Sequence, residues 1–274
     1  MRTIGNNLEL IVNNLMISYN DHGPENAPVI LFIHGYPLNK SMWNRQVEEL
    51  KSTYRVIAYD VRGHGDSDQG DKDFSIQLFE KDLIDFMDAL KLDKIILCGL
   101  SMGGYIALRA IENHPERFIG LILSDTQCQA DTPDAKAKRI AAIQRIEENG
   151  VKKYADESVK NLFAEDSFKT RKQEILAIKE MIQQTSKQSL FKTLYAFSVR
   201  KETCTKLSEI KIPVLIIVGK EDIITPPKAA RFLHSHIFQS TLVVIDHAGH
   251  LTNLENPEKF NSHLKKFLRE IELK

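Results

Sequence analysis

Apolar and polar positions change rhythm several times along the chain, and the changes mark out its elements. Residues 8–12 and 15–19 alternate apolar and polar around Asn13-Asn14, a pair that tolerates positive φ, which predicts a hairpin. Residues 29–33, 56–59, 94–98, 119–123, 214–218 and 242–245 then form short apolar runs. Runs without a polar alternate suit parallel strands buried on both faces. Between them, Ile76, Phe79, Leu83, Phe86, Met87 and Leu90 recur at helical spacing behind Ser75, which predicts a capped helix. Strands alternating with helices imply an α/β fold, an eight-stranded and mostly parallel doubly wound sheet led by an antiparallel hairpin.

One stretch breaks the alternation. Residues 126–206 hold no strand run, one glycine (Gly150) and one proline (Pro133). Thr132-Pro133-Asp134 reads as a helix cap with proline at the first helical position, and Gly150 as a stop. Further helices are expected over 152–164, 168–184 and 187–199. The organisation expected is therefore a core in two parts, 1–125 and 207–274, with a helical cap, 126–206, inserted over the sheet.

Composition narrows the class. With 42% apolar and 27% charged residues, the 274-residue chain lies in the ordinary globular range and is long enough for a sizeable core. Its 37 basic and 37 acidic residues cancel, which argues against nucleic-acid or membrane-surface partners. No window approaches the apolar length of a membrane span, and the alternating first residues do not resemble a signal peptide. Cys98, Cys128 and Cys204 are odd in number and widely spaced, so the expectation is free thiols in a reducing, cytoplasmic setting. Neither H-E-x-x-H nor clustered His/Cys spacing occurs, so no metal or other cofactor is indicated.

The chemistry concentrates at Gly99-Leu100-Ser101-Met102-Gly103, directly after the run 95–98 and before a helix-compatible stretch. In that strand–turn–helix context G-x-S-x-G marks a nucleophile elbow, with Ser101 at a helix N-terminus where dipoles favour developing negative charge. A serine hydroxyl needs a base and an orienting acid, and in such an architecture both follow it in the chain. Asp222, in a glycine turn after a buried strand, is the preferred acid. Asp125 is the rival, with a helix cap at the start of the insertion as its plainer reading. His250 is the candidate base, because it lies in a loop beyond Gly249, whereas His247 continues straight from the last strand. His34-Gly35-Tyr36-Pro37 follows the third strand. It offers the Tyr36 backbone N–H as one oxyanion donor, beside the Met102 N–H after the serine.

Taken together, His34-Gly35-Tyr36-Pro37, the segment Asp60-Val61-Arg62-Gly63-His64-Gly65-Asp66-Ser67, Gly99-Leu100-Ser101-Met102-Gly103-Gly104 and His114-Pro115-Glu116-Arg117 resemble the α/β-hydrolase superfamily. Within it, Pro37-Leu38-Asn39, Met42-Trp43 and Asp131-Thr132-Pro133 are most similar to small capped esterases and 3-oxoadipate enol-lactone hydrolases. The resemblance implies that residues 126–206 form a lid. It also implies that Asp60–Ser67 is a structural loop braced by Asp60 and Arg62.

The expected function is hydrolysis of a small carboxylic ester or lactone through an acyl-enzyme, with Ser101, His250 and Asp222 as a triad. Two alternatives stand beside it: a small-molecule receptor of the same fold with slow hydrolysis, and a cofactor-free perhydrolase. A serine, not a carboxylate, at the elbow argues against dehalogenases and epoxide hydrolases. The acyl and alcohol groups are not legible, although a cap lysine could meet a substrate carboxylate.

Overall fold

The computed structural model describes residues 2–272. Eight strands form one sheet: β1 (Gly5–Val12), β2 (Leu15–His22), β3 (Val29–Ile33), β4 (Arg55–Tyr59), β5 (Ile95–Leu100), β6 (Phe118–Ser124), β7 (Val214–Gly219) and β8 (Ser240–Ile245). Their order is β1-β2-β4-β3-β5-β6-β7-β8. The hairpin β1–β2 joins β4 antiparallel, and all pairs from β4 through β8 run parallel. Asn13 and Asn14 take φ of 51° and 61°, the left-handed conformation that a two-residue hairpin turn requires.

Helices cover both faces. On one side α2 (Ile76–Ala89), α3 (Met102–Asn113) and α8 (Pro227–His236) pack on a core that includes Leu31 and Ile33. On the other, α1 (Asn44–Leu50) and α10 (Pro257–Glu272) pack on one that includes Ile30 and Phe32. Successive residues of β3 thus serve opposite cores, which is why its sequence shows no polar alternate. A short α9 (Thr252–Glu255) precedes α10.

Between β6 and β7 the described chain forms helices and no strand: α4 (Pro133–Leu162), α5 (Ser167–Thr170), α6 (Lys172–Gln184) and α7 (Lys187–Val199), then a 3-10 turn over Cys204–Glu209. Thr132 caps α4 by accepting the Ala135 N–H, with Pro133 at the first helical position. Gly150, at φ 80° and ψ 167°, is non-helical and ends the first helical stretch, as expected, so α4 is two helices joined at a kink, the second running to Leu162. The single helix expected over 168–184 is two, because Arg171 leaves helical geometry at φ −124°, ψ 39°. Ala142 and Ile146 of α4 meet Leu190 and Leu194 of α7, so those apolar stripes are packing faces.

One sequence expectation fails here. Cys128 and Cys204 form a disulfide across 76 residues, and only Cys98, buried, is free. The pairing follows from topology: the two legs of the insertion leave and rejoin the sheet at adjacent strands, so cysteines remote in sequence meet at its root. The Thr203 N–H donates to the Cys128 carbonyl at 3.0 Å, and Arg200 and Arg139 both reach Asp131 at 3.1 Å. A persistent disulfide suits an oxidising setting, so the cysteines no longer argue for a reducing compartment. Among the described residues no helix is long and apolar enough to cross a membrane.

Closing a loop of this length limits the unfolded chain by about 4 kcal/mol in the chain-entropy view. Cys128→Ser should therefore lower Tm by roughly 10 °C under non-reducing conditions. An unchanged Tm would show that the bond does not staple the insertion.

Candidate active site

Backbone packs closely around Ser101. A Cβ on Gly99 would lie 2.2 Å from the Gly103 carbonyl oxygen, and one on Gly103 would lie 2.3 Å from that of Ile33. Only glycine lets α3 approach β3 and β5 this closely. The turn between them forces Ser101 to φ 54°, ψ −109°, an uncommon conformation for a residue with a side chain. Both backbone groups of Ser101 reach the end of β6 and the residues just beyond it: its N–H donates to the Ser124 carbonyl at 3.0 Å, and its carbonyl accepts the Thr126 hydroxyl at 2.8 Å. The serine is thus fixed at the carboxyl edge of the sheet, on the first turn of a buried helix.

Two strands away at the same edge, the turn after β7 carries Asp222 and the loop after β8 carries His250. His250 Nδ1 lies 2.8 Å from Asp222 Oδ2, and both residues are buried. The carboxylate is saturated: Oδ1 accepts the N–H groups of Ile224 and Thr225 at 2.8 and 3.0 Å, and Oδ2 also accepts the Thr225 hydroxyl at 2.8 Å. With the Nδ1 proton directed at Asp222, Nε2 is the ring nitrogen that carries the acceptor lone pair. Burial opposes ionisation of either group, but each charge stabilises the other. The Asp222 carboxyl is held below its ordinary range and the His250 imidazolium above its own.

The loop after β3 lies against Ser101, since a Cβ on Gly35 would sit 3.5 Å from that of Ser101. His34 fixes this loop. Its Nδ1 donates to the Gly35 carbonyl and its Nε2 accepts the Val61 N–H, both at 2.9 Å. Burial keeps this imidazole neutral, pushed down to about 4, so the bridge keeps one tautomer across ordinary pH. Tyr36 follows at the loop's apex, and Met102 opens α3, where a first-turn N–H has no helical acceptor. The insertion closes over this point. The Tyr154 hydroxyl donates to that of Tyr36, which donates to the Leu190 carbonyl, each at 3.4 Å. The Phe197 ring stands edge-on to Tyr36 and Tyr105 at 5.3 and 5.8 Å.

Residues 28–257 match the sequence profile described as the alpha/beta hydrolase fold. The chain belongs to this family. It is 34% identical over 258 residues to 3-oxoadipate enol-lactonase 1 of Acinetobacter baylyi, a match covering 93% of this chain and 94% of that one. Among solved structures it resembles a thermophilic esterase from Thermogutta terrifontis, malate bound, at TM-score 0.90 and 31% identity, covering 96% and 98% of the two chains. It also resembles the enol-lactonase from Burkholderia xenovorans LB400, at TM-score 0.89 and 26% identity over 96% and 100%.

The residues singled out from the sequence, Ser101, Tyr36, Met102, Asp222 and His250, all follow strands at one edge of the sheet. His247 is exposed. The Asp60 loop is structural, with Asp60 bound to Lys40 Nζ at 2.7 Å and Arg62 paired to Asp82.

Asp125 departs from its plainer reading. It caps no helix; α4 begins eight residues later behind Thr132. Its Oδ1 instead accepts the Gly219 N–H at 2.9 Å, and its Oδ2 the hydroxyls of Ser124 and Thr252 at 2.7 and 2.5 Å. These bonds tie β6, β7 and α9 together behind the Asp222–His250 pair. Burial, with the nearby Asp222 charge, pushes this carboxyl well up.

Thr225 and Glu255 escaped the sequence reading. The only signals were a threonine three residues after Asp222 and an acid five residues after His250, neither distinguishable from a surface residue without burial.

The pair geometry has a direct readout. His250 should titrate above its ordinary 6.5 by NMR, because the ionised Asp222 favours the charged ring. In Asp222→Asn that attraction is gone while burial remains, so the titration should move below the wild-type value. Equal titration in the two proteins would contradict the pairing.

Proposed function

We propose that the protein is a serine hydrolase of small carboxylic esters or lactones, acting through an acyl-enzyme. The observation that carries this reading is the strained, doubly anchored turn of Ser101, at the same sheet edge as the buried Asp222–His250 pair. The relatives named as enol-lactonase and esterase support the substrate class.

In this reading, Ser101 Oγ attacks the carbonyl carbon as His250 Nε2 takes its proton. Asp222 steadies the imidazolium so formed and holds its tautomer. The N–H groups of Met102 and Tyr36 receive the oxyanion, a contribution of typically a hundredfold or more per donor. Collapse expels the alkoxide, which takes the proton from His250. In a lactone the alkoxide stays attached to the acyl chain. Water then repeats the sequence on the acyl-enzyme, with His250 again as base. Residues 126–206 act as a lid that excludes bulk water and shapes the substrate pocket.

The lid also bears on substrate charge. The sequence suggested a lysine for any substrate carboxylate, but the better placed cation is Arg139 of α4. Its guanidinium lies 5.0 Å from the Phe197 ring centroid, on the ring that abuts Tyr36, and it shares the single carboxylate of Asp131 with Arg200. Two guanidiniums on one carboxylate leave positive charge beside the oxyanion loop. An acyl group ending in a carboxylate would be favoured there.

A panel of aryl esters and lactones, with neutral and carboxylate-terminated acyl chains, tests the reading. Wild-type protein should turn over many times per second, Ser101→Ala should lose nearly all activity, and Asp222→Asn should lose on the order of 10⁴ in kcat. Arg139→Gln should lower kcat/KM for the anionic substrates about tenfold more than for the neutral ones, the scale of one charge-assisted hydrogen bond. Ser101→Ala at wild-type rates would refute the nucleophile. A uniform loss in Arg139→Gln would withdraw the charge preference alone.

A further inference from the structure

We infer that Glu255 is a positioning residue that couples the foot of the lid to the loop carrying His250, so that the two move as one unit. This rests on His250 being the base. Glu255 is 3% exposed, at the end of α9. Its Oε1 accepts the N–H groups of Gly249 and Leu251, at 2.8 and 3.3 Å, the residues on either side of His250. Its Oε2 accepts the Ala164 N–H at 2.7 Å and the Ser167 hydroxyl at 2.6 Å, both at the junction of α4 and α5. One carboxylate therefore holds the base loop with one oxygen and the lid foot with the other.

Three further contacts lie on the same seam. The His250 N–H donates to the carbonyl of Leu162, the last residue of α4, at 2.9 Å. The Glu255 carbonyl accepts Arg171 Nε, from the start of α6, at 3.0 Å. A Cβ on Gly249 would lie 2.7 Å from the Ala164 nitrogen, so base loop and lid foot touch at the level of the backbone. No side chain separates them to absorb relative movement. A shift of the lid foot has to be taken up by the segment that aims the imidazole.

The chemistry of the partners makes the residue hard to replace. The N–H groups of Gly249, Leu251 and Ala164 can only donate, and they approach both oxygens. A glutamine of the same shape accepts through its carbonyl alone, and its NH2 must then face backbone N–H groups on the other side. Glu255→Gln thus cuts one arm whichever way the amide turns. Asp125 differs, because two of its three donors are hydroxyls that can rotate to accept.

The experiment pairs hydrogen exchange with kinetics on the full-length protein. In Glu255→Gln, exchange should rise together at residues 162–167 and 249–251, kcat should fall about a hundredfold with KM little changed, and capture of a small organophosphonate by Ser101 should slow in parallel. Wild-type kcat and capture despite faster exchange would overturn the proposal. So would a loss of kcat with exchange at 162–167 unchanged, which would confine Glu255 to its own loop. Should Glu255→Gln fail to fold, Ser167→Ala, which alters only the lid arm, should still slow phosphonate capture severalfold; unaltered capture would overturn the coupling. His250→Gln separates the two readings. If it keeps wild-type activity the base assignment falls and the coupling with it, whereas an inactive His250→Gln beside a wild-type Glu255→Gln refutes the coupling alone.

Discussion

The site depends on how closely α3 lies against the sheet. With Cβ positions at Gly99 and Gly103 falling 2.2 and 2.3 Å from backbone oxygens, no side chain fits between helix and strands. That approach drives the chain through a sharp turn at Ser101, at the N-terminal end of α3 where the first-turn N–H groups have no helical acceptor. A wider separation would relax Ser101 and misdirect the donors together. The backbone strain is held from outside, by Ser124 and Thr126, so the turn stays fixed without help from a ligand.

Around this turn the fold places buried carboxylates as connectors between segments. Asp222 gathers Ile224, Thr225 and His250; Asp125 gathers Gly219, Ser124 and Thr252; Glu255 gathers Gly249, Leu251, Ala164 and Ser167. A buried charge is tolerated only when its lone pairs are filled, and each of these is met by at least three donors. Such sites are rigid because removing any donor leaves a costly vacancy. Orientation of the imidazole, spacing of the strand ends and placement of the lid foot therefore share one set of interactions.

What the sequence disclosed and what it hid follow from range. The strands, the Ser75 and Thr132 caps and the glycines about Ser101 are local features, governed by neighbours within a few residues, and the chain shows them openly. Chain order and loop context favoured His250 over His247 and Asp222 over Asp125, and the fold pairs His250 with Asp222 at 2.8 Å. The Cys128–Cys204 bond spans 76 residues and became visible only once β6 and β7 were neighbours. Glu255 looked like one more acid in a charged C-terminal helix region, and Asp125 like a cap. Their partners lie on other segments, and burial, which gives them their roles, has no local signature.

The most direct test of the account is the mass of the protein caught during turnover. Denaturing mass spectrometry of samples quenched in the first moments of reaction with a slow aryl ester should show one acyl group per chain, mapping to the peptide that carries Ser101. The adduct should fail to build up on the same timescale when His250 is replaced, because the base that takes the Ser101 proton is then absent. Product released with no acylated protein at any time, or an acyl group on another residue, would contradict the central claim.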